Sequence, residues 1–502
     1  MNIAAVPVWV TAAGITAITA ISLWLRTRQL GAGYWIDEGL SVGIAHHAFT
    51  AIPHLLREDG SPPLYYLLLH VWMGWFGDGE RATHTLSLIF GLACIPLAYW
   101  LGRSIFGPFS GWICAGLAAV DPYLTYYAQE TRMYSLVAML SFVAAGSYVH
   151  GVIGGRRRYL PVLGVSLVLI VYTHNWGLFL ALGYGVATLV FARDKLKEAA
   201  IAAGIALALY LPWLPTLLSQ SKHTAAPWAT VPSFHALLLA PGAVLSGDAP
   251  FTAIVLAGGV GLAAAIRVRS NPVRRPILVL AAVVGATVFV AWLSSQITPA
   301  WTTRYFGVVL GPLLVISAAG LARAGRLGLV ALVAVCVIWT NYVQQDNKEN
   351  ARSTMKGVAA DVRPGDVILS THPEQVPVLR YYLGGGYRWA TTLGPVTDPQ
   401  VMDWRDALQR IRRVTPAKEL EPVLASVRPG QHLVVVSPVF RDYRAWQSRW
   451  TNEVYLTSQV WTRAIADDRR FRQVAYVSSN EILLKLNYFK LLQAVVYVRN
   501  AP

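Results

Sequence analysis

Five short groups of ionisable and hydrogen-bonding residues interrupt an otherwise apolar chain, and their side-chain types are those of proton transfer and anion binding. The first is Tyr34-Trp35-Ile36-Asp37-Glu38-Gly39. A structural role accounts for it equally well: Trp and Tyr belong at a membrane interface, Asp37 can cap the helix that follows, and Glu38 suits its first turn. The second is Asp59-Gly60-Ser61-Pro62-Pro63-Leu64-Tyr65-Tyr66, whose paired prolines are also enough to separate two helices. The third, Asp121-Pro122-Tyr123 followed by the run from Tyr126 to Tyr134, brings Tyr127, Glu130, Arg132 and Tyr134 into one gap. So many hydrogen-bonding groups in so short a stretch point to a lined cavity rather than to a merely polar outer face. Tyr172-Thr173-His174-Asn175-Trp176 and Trp301-Thr302-Thr303-Arg304-Tyr305 complete the set. A lone His174 or Arg304 at such a position also suits simple anchoring at the interface.

The elements that must position these groups are membrane helices. Of the 502 residues 55% are apolar and only 14% charged, far from the usage of a soluble globular chain. Apolar stretches run at about 7 to 25, 84 to 101, 105 to 120, 133 to 153, 159 to 173, 176 to 192, 199 to 218, 251 to 266, 276 to 297, 305 to 322 and 327 to 343, so the chain is expected to be mainly α, with about eleven spans. Those at 105 to 120 and 159 to 173 are short against the ~20 residues a bilayer helix needs. The first stretch lacks a basic n-region and a clear cleavage site, and it is read as a retained span. The polar groups above all fall at ends of spans that face one side.

Charge decides which side. Arg103, Arg156 to Arg158, Arg193, Lys195, Lys197, Arg267, Arg269, Arg274, Arg275, Arg323 and Arg326 crowd alternate short gaps. The opposite gaps carry fewer basic residues over longer sequence, which makes the N-terminus cytoplasmic and the polar groups extracytoplasmic. Arg26 and Arg28, at the outer end of the first span, dissent locally. The formal charge of +16 is thereby explained by span orientation and anionic lipid, and nucleic acid is not expected as a partner. Short loops and the lack of a retention signal suit a bacterial plasma membrane.

Two segments are not spans. Residues 27 to 80 hold two partly apolar halves, 40 to 57 and 63 to 76, expected to lie along the membrane as interfacial helices. Residues 346 to 502 read as an extracytoplasmic soluble α/β domain, leaving 1 to 345 as the membrane domain. Within the soluble part Val362-Arg363-Pro364-Gly365 precedes Val367-Ile368-Leu369, and Val427-Arg428-Pro429-Gly430 precedes Leu433 to Val436. Each is a turn feeding a buried strand, with helical patterns at 374 to 383, 416 to 427 and 441 to 465. Gly384-Gly385-Gly386 reads as a turn, not a phosphate loop. Cys94, Cys114 and Cys336 sit in apolar stretches without metal-ligand spacing.

The run from Trp35-Ile36-Asp37-Glu38 through Ser61-Pro62-Pro63-Leu64-Tyr65-Tyr66 to Gly77-Asp78-Gly79-Glu80-Arg81, followed by Tyr127-Ala128-Gln129-Glu130-Thr131-Arg132-Met133-Tyr134, resembles the GT-C superfamily of membrane glycosyltransferases. Within it, the chain is similar to the family-39-like branch of protein O-mannosyltransferases and lipid A aminoarabinose transferases. The motifs cover roughly residues 30 to 180, with a weaker echo at Arg304-Tyr305. The resemblance implies a polyprenyl-phosphate monosaccharide donor, inversion at the anomeric carbon, and a glycan, glycolipid or protein acceptor outside the cytoplasm. It places the catalytic carboxylate on Asp37. One departure is that relatives often carry Lys immediately before the two prolines, where this chain has Ser61, so another cation must serve the donor phosphate.

In a single displacement a carboxylate takes the acceptor proton while cations stabilise the departing phosphate. Asp37, Glu38 and Glu130 are the expected catalytic residues: Asp37 is the expected base, and Glu38 and Glu130 are expected to orient the acceptor or hold Arg132. Arg132, Arg304 and His174, with Tyr305 and Ser61, are the expected donor-phosphate groups. Tyr65, Tyr127 and Tyr134 are expected to line the acceptor cavity. No cofactor is expected, although Asp37, Glu38 and Glu130 are oxygen ligands a divalent metal could use. A transporter of a lipid or envelope precursor would share the spans and the outer cavity, but should carry ionisable groups near mid-membrane and an internal repeat. A membrane-anchored binding protein would place its activity in the soluble tail.

Overall fold

The computed structural model describes residues 7–224, 226–342, 348, 350–439, 448–478 and 491–501. Every expected span is helical, and the chain is a multi-pass membrane protein. Among the described residues seven helices are long and apolar enough to cross a membrane: Val8–Arg26, Glu80–Phe106, Tyr134–Ile153, Arg193–His223, Asp248–Arg267, Arg274–Ile297 and Thr303–Arg323. The other expected spans are shorter apolar helices, Pro108–Val120, Tyr159–Thr173, Gly177–Phe191 and Gly325–Thr340. An additional short apolar helix, Phe234–Val244, was not foreseen.

Local chemistry sets the breaks. Helix Glu80–Phe106 ends at Gly107, whose φ of 100° only glycine adopts freely, and Pro108 opens the next helix, where its missing N–H costs nothing. The first span is pinned at its C-terminal end: the buried Arg26 guanidinium donates to the carbonyls of Gly91 at 2.5 Å and Ala118 at 2.6 Å. A cation at that depth persists only with such partners.

Helices Tyr134–Ile153 and Thr303–Arg323 are the most buried spans. They meet at Gly311, whose N–H donates to Ser141 Oγ at 3.0 Å. A Cβ there would lie 2.6 Å from the Phe142 nitrogen, so only glycine allows this approach. The contact matters for the site because one helix begins at Tyr134, just after Arg132, and the other begins at Thr303 with Arg304 and Tyr305.

The soluble part is an α/β domain built on a six-stranded mixed sheet: Val367–Ser370 (β1), Arg388–Thr391 (β2), Gly394–Val396 (β3), His432–Val439 (β4), Phe471–Val477 (β5) and Leu491–Arg499 (β6), in the order β3-β2-β1-β4-β6-β5. The two strands that follow the repeated Val-Arg-Pro-Gly turns are its parallel centre, with Val367 opposite Leu433 and Ser370 opposite Val436. Both turn glycines, Gly365 and Gly430, have positive φ. Period-two alternation splits the faces: Val367, Leu369, Leu433 and Val435 pack with Trp461 and Ile465, while Ile368, Val434 and Val436 join the larger core shared with the membrane part. The helix expected at 441 to 465 is observed as Arg449–Ala466, and its expected start at 441 to 447 lies outside the described residues.

The segment after the first span, expected as two partly apolar helical halves at 40 to 57 and 63 to 76, forms three helices, Ile36–Ala45, Ile52–Asp59 and Leu64–Phe76. Nearly all of Ile36–Ala45 is buried, and it packs against Val378 and Gln400 of the C-terminal domain. The reason is the small face made by Gly39 and Gly43: a Cβ on Gly39 would lie 2.5 Å from Val378 Cβ, and one on Gly43 would lie 2.1 Å from the Gln400 carbonyl oxygen. Ion pairs rim the contact, His47 with Asp398 at 2.8 Å and Glu58 with Arg405 at 3.1 Å.

Candidate functional site

The helix that begins at Ile36 presents two consecutive carboxylates in opposite roles. Trp35 precedes it in extended conformation, and its N–H donates to Glu38 Oε2 at 3.3 Å. Glu38 therefore serves the helix N-terminus, and the Asp37 carboxylate turns outward instead of capping. Arg304 Nη1 donates to Asp37 Oδ2 at 2.9 Å, and Arg132 Nη2 stands 3.8 Å from the same oxygen. Arg132 Nη1 also reaches the Asp37 carbonyl at 3.2 Å, Ser41 Oγ at 2.9 Å and the Tyr66 hydroxyl at 3.4 Å. About a fifth of the Asp37 and Arg304 side chains stays accessible, 21% and 20%, so a ligand can reach both.

Arg304 is held from two directions. Its backbone carbonyl accepts the Tyr123 hydroxyl at 2.6 Å, and its guanidinium lies over the Trp35 and Tyr305 rings, 5.8 and 5.6 Å from their centroids. Tyr305 continues an aromatic wall, with His174 at 4.4 Å and Tyr134 at 6.4 Å between centroids, and Tyr127 against Tyr134 at 4.6 Å. His174 Nδ1 accepts the Trp176 N–H at 3.1 Å, which leaves Nε2 as the ring's only possible donor in the neutral form. Burial, followed by Arg132 and Arg304, pulls its pKa down to about 3, which favours the neutral ring at this position.

The turn Asp59-Gly60-Ser61 forms another part of this wall. Asn175 Nδ2 donates to the Gly60 carbonyl at 3.3 Å, and Gln220 Nε2 donates to the carbonyls of Leu56 at 2.8 Å and Ser61 at 3.2 Å. Asp59 is buried, faces Ser61, Arg132 and Asp37, and is pushed up to about 6 by burial, the lowering by Ser61 and Arg132 notwithstanding. Sequence reading quoted Asp59 and Tyr66 within the second group but gave neither a role, and it passed over Ser41. The signal for Asp59 was its place directly before the Gly-Ser-Pro-Pro turn. Tyr65 is fully buried behind the Arg132 loop, its hydroxyl 3.0 Å from Ser87 Oγ, and so packs where cavity lining was expected. Glu130 is buried beside Tyr126.

Glu38 sits in a separate, closed environment. Its Oε1 accepts the Thr131 N–H at 2.7 Å and lies 2.7 Å from His84 Nε2, while Lys348 Nζ donates to both carboxylate oxygens at 2.8 and 2.7 Å. Burial would raise this carboxyl, but Lys348 and His84 outweigh it and hold Glu38 below the usual carboxylate range. Expected as a catalytic group, Glu38 is here wholly buried and already supplied with partners. Lys348 and His84 were not anticipated, because neither belongs to a recognisable spacing. Among the described residues no three His, Cys, Asp or Glu side chains converge as a metal cluster, and the cations that meet Asp37 are guanidiniums.

No protein-family profile and no curated protein sequence matches the chain. Solved structures do. ArnT from Cupriavidus metallidurans in the apo state aligns with a TM-score of 0.64 at 14% identity, over 97% of this chain and 98% of that one. The same protein bound to undecaprenyl phosphate aligns at 0.61 and 15%, with the same coverage. The Archaeoglobus fulgidus oligosaccharyltransferase in the apo form aligns at 0.54 and 12%, over 93% of this chain and 73% of that one. At such identities the likeness is one of fold, and the fold is GT-C, with an ArnT-like arrangement of membrane helices and a C-terminal sheet domain.

Proposed function

Taking the GT-C fold as premise, we propose that this chain is an inverting glycosyltransferase that moves a monosaccharide from a polyprenyl-phosphate donor to an acceptor outside the cytoplasm. The observation that carries this reading is the Asp37 carboxylate held between Arg304 and Arg132 at the end of the two most buried spans. The undecaprenyl phosphate bound by ArnT supports the donor class. The acceptor is a cell-envelope glycan, glycolipid or protein, the membrane is the bacterial plasma membrane, and the soluble domain lies outside it.

The acceptor hydroxyl gives its proton to Asp37 as its oxygen attacks the anomeric carbon from the face opposite the phosphate. The bond between that carbon and the phosphate oxygen breaks, and polyprenyl phosphate leaves with the electron pair. Arg304 and Arg132 take up the additional negative charge, filling the role that a lysine at position 61 would have served. Arg304 is bonded to Asp37. A donor phosphate competes for that guanidinium, so donor binding itself frees the base. The aromatic wall of Tyr134, Tyr305 and His174 offers apolar ring faces and hydrogen-bonding edges to sugar.

The test is a structure of the protein with polyprenyl phosphate. Phosphate within hydrogen-bonding distance of Arg304 and Arg132 is expected, with the Arg304–Asp37 contact lengthened. A phosphate bound elsewhere, with that contact intact, contradicts the reading.

A further inference from the structure

Lys348 lies between the last span and the first helix of the soluble domain, Ala351–Val358, and its side chain is buried in the membrane part of the protein. Besides Glu38 it reaches His84 Nε2 at 3.1 Å and donates to the Gln129 carbonyl at 3.0 Å. Glu38 is fully buried and follows Asp37 directly. Through Thr131 N–H the same carboxylate grips the loop that carries Arg132. One buried anion thus joins three things: the helix bearing Asp37, the loop bearing Arg132, and the chain entering the soluble domain.

We propose that Lys348 is a positioning residue, a latch that neutralises Glu38 inside the protein and so holds Asp37 and Arg132 in register while the soluble domain is docked. This rests on the transferase reading given above. The physical reason is the cost of an uncompensated buried charge. Removing one partner of a buried pair is far worse than replacing both by neutral groups, because the remaining ion is stranded. Without Lys348 the Glu38 carboxylate keeps only His84 and the Trp35 and Thr131 amides, and its pull toward water loosens the first turn that carries Asp37 and the Thr131 amide beside Arg132. The glycine face of Ile36–Ala45 ties the two ends of this arrangement together: Val378 and Gln400 of the soluble domain press on the helix whose first turn Lys348 secures.

The test compares full-length wild type, Lys348→Met, Lys348→Arg and the double variant Glu38→Gln/Lys348→Met, using hydrogen exchange and transfer kinetics. Lys348→Met is expected to speed amide exchange across residues 36 to 45 and 129 to 132 and to lower kcat about 100-fold, the scale of a small displacement of reacting groups, with little change in KM for the donor. Lys348→Arg keeps the charge and most of the activity. The double variant, having no stranded ion, regains exchange protection and roughly tenfold in kcat over Lys348→Met. Unchanged exchange in Lys348→Met, or a double variant no better than it, overturns the latch. If exchange follows the prediction but wild type transfers no sugar, the transferase reading falls while the latch is upheld.

Discussion

Asp37 and Arg304 lie 267 residues apart in sequence, and their side chains meet at 2.9 Å. The pairing closes the site across the whole membrane domain, since Asp37 follows the first span and Arg304 opens the tenth of the expected ones. In the proposed reaction Arg304 serves two anions in turn, the Asp37 carboxylate and then the departing phosphate. Arg304→Ala is expected to lower kcat by about 10² to 10³, the range for a lost group that stabilises developing charge. Arg304→Lys should recover only part, because an ammonium lacks the planar fork that spans two oxygens. Steady-state kinetics against a polyprenyl-phosphate sugar checks both; full activity in Arg304→Lys would reduce Arg304 to a point charge.

The Asp59 carboxyl supplies a pH dependence with a definite sign. Its ordinary value is 3.8, and burial raises it to about 6 in the folded protein. Between those values the native state holds a proton that the unfolded chain has released, so stability falls as pH rises through the window. Asp59→Asn removes the effect. Thermal unfolding measured from pH 4 to pH 7 should show the variant gaining on wild type as pH increases; parallel curves would mean that Asp59 titrates as an ordinary surface carboxyl.

Gly43 tests the docking of the soluble domain. Alanine there would place a Cβ 2.1 Å from the Gln400 carbonyl oxygen, with backbone as the obstacle and no flexible side chain to give way. Overpacking of this kind costs about 1–3 kcal/mol. Gly43→Ala should lower the unfolding temperature and the transfer rate together. Gly74→Ala is the control, since nothing lies within 4 Å of a Cβ at that position, and it should leave both unchanged.

Orientation follows from the basic loops. A reporter active only outside the cytoplasm, fused after residue 345, should be active, and one active only in the cytoplasm should be silent. The opposite pattern would show that one apolar helix does not cross.

Much of the fold was legible because its signals are local. Apolar runs of span length, the glycine and proline breaks between them, and the twin Val-Arg-Pro-Gly turns each determine their own element, and β1 and β4 duly pair at the sheet centre. Asp37, Arg132 and Arg304 could be singled out as polar groups at span ends, which is also a local property. What remained hidden depends on contacts distant in sequence. The close packing of helix Ile36–Ala45 on the C-terminal domain through Gly39 and Gly43 is one such contact, and no local spacing announces it. Glu38 was singled out beside Asp37, but its partner Lys348 lies 310 residues away and could not be read from any local spacing. The apparent equivalence of Tyr65 and Tyr66 likewise dissolves in the helix, where one hydroxyl turns to Ser87 and the other toward Arg132.

The central claim is that Asp37 removes the acceptor proton, and the most direct measurement is transfer by purified Asp37→Asn beside wild type. Asn matches Asp in size but cannot take up a proton at neutral pH. With a polyprenyl-phosphate sugar donor and an envelope acceptor, release of polyprenyl phosphate should fall by about 10² to 10⁴ in kcat, while donor affinity and thermal unfolding stay close to wild type. Turnover near the wild-type rate in a folded Asp37→Asn protein would contradict the account and remove Asp37 as the base.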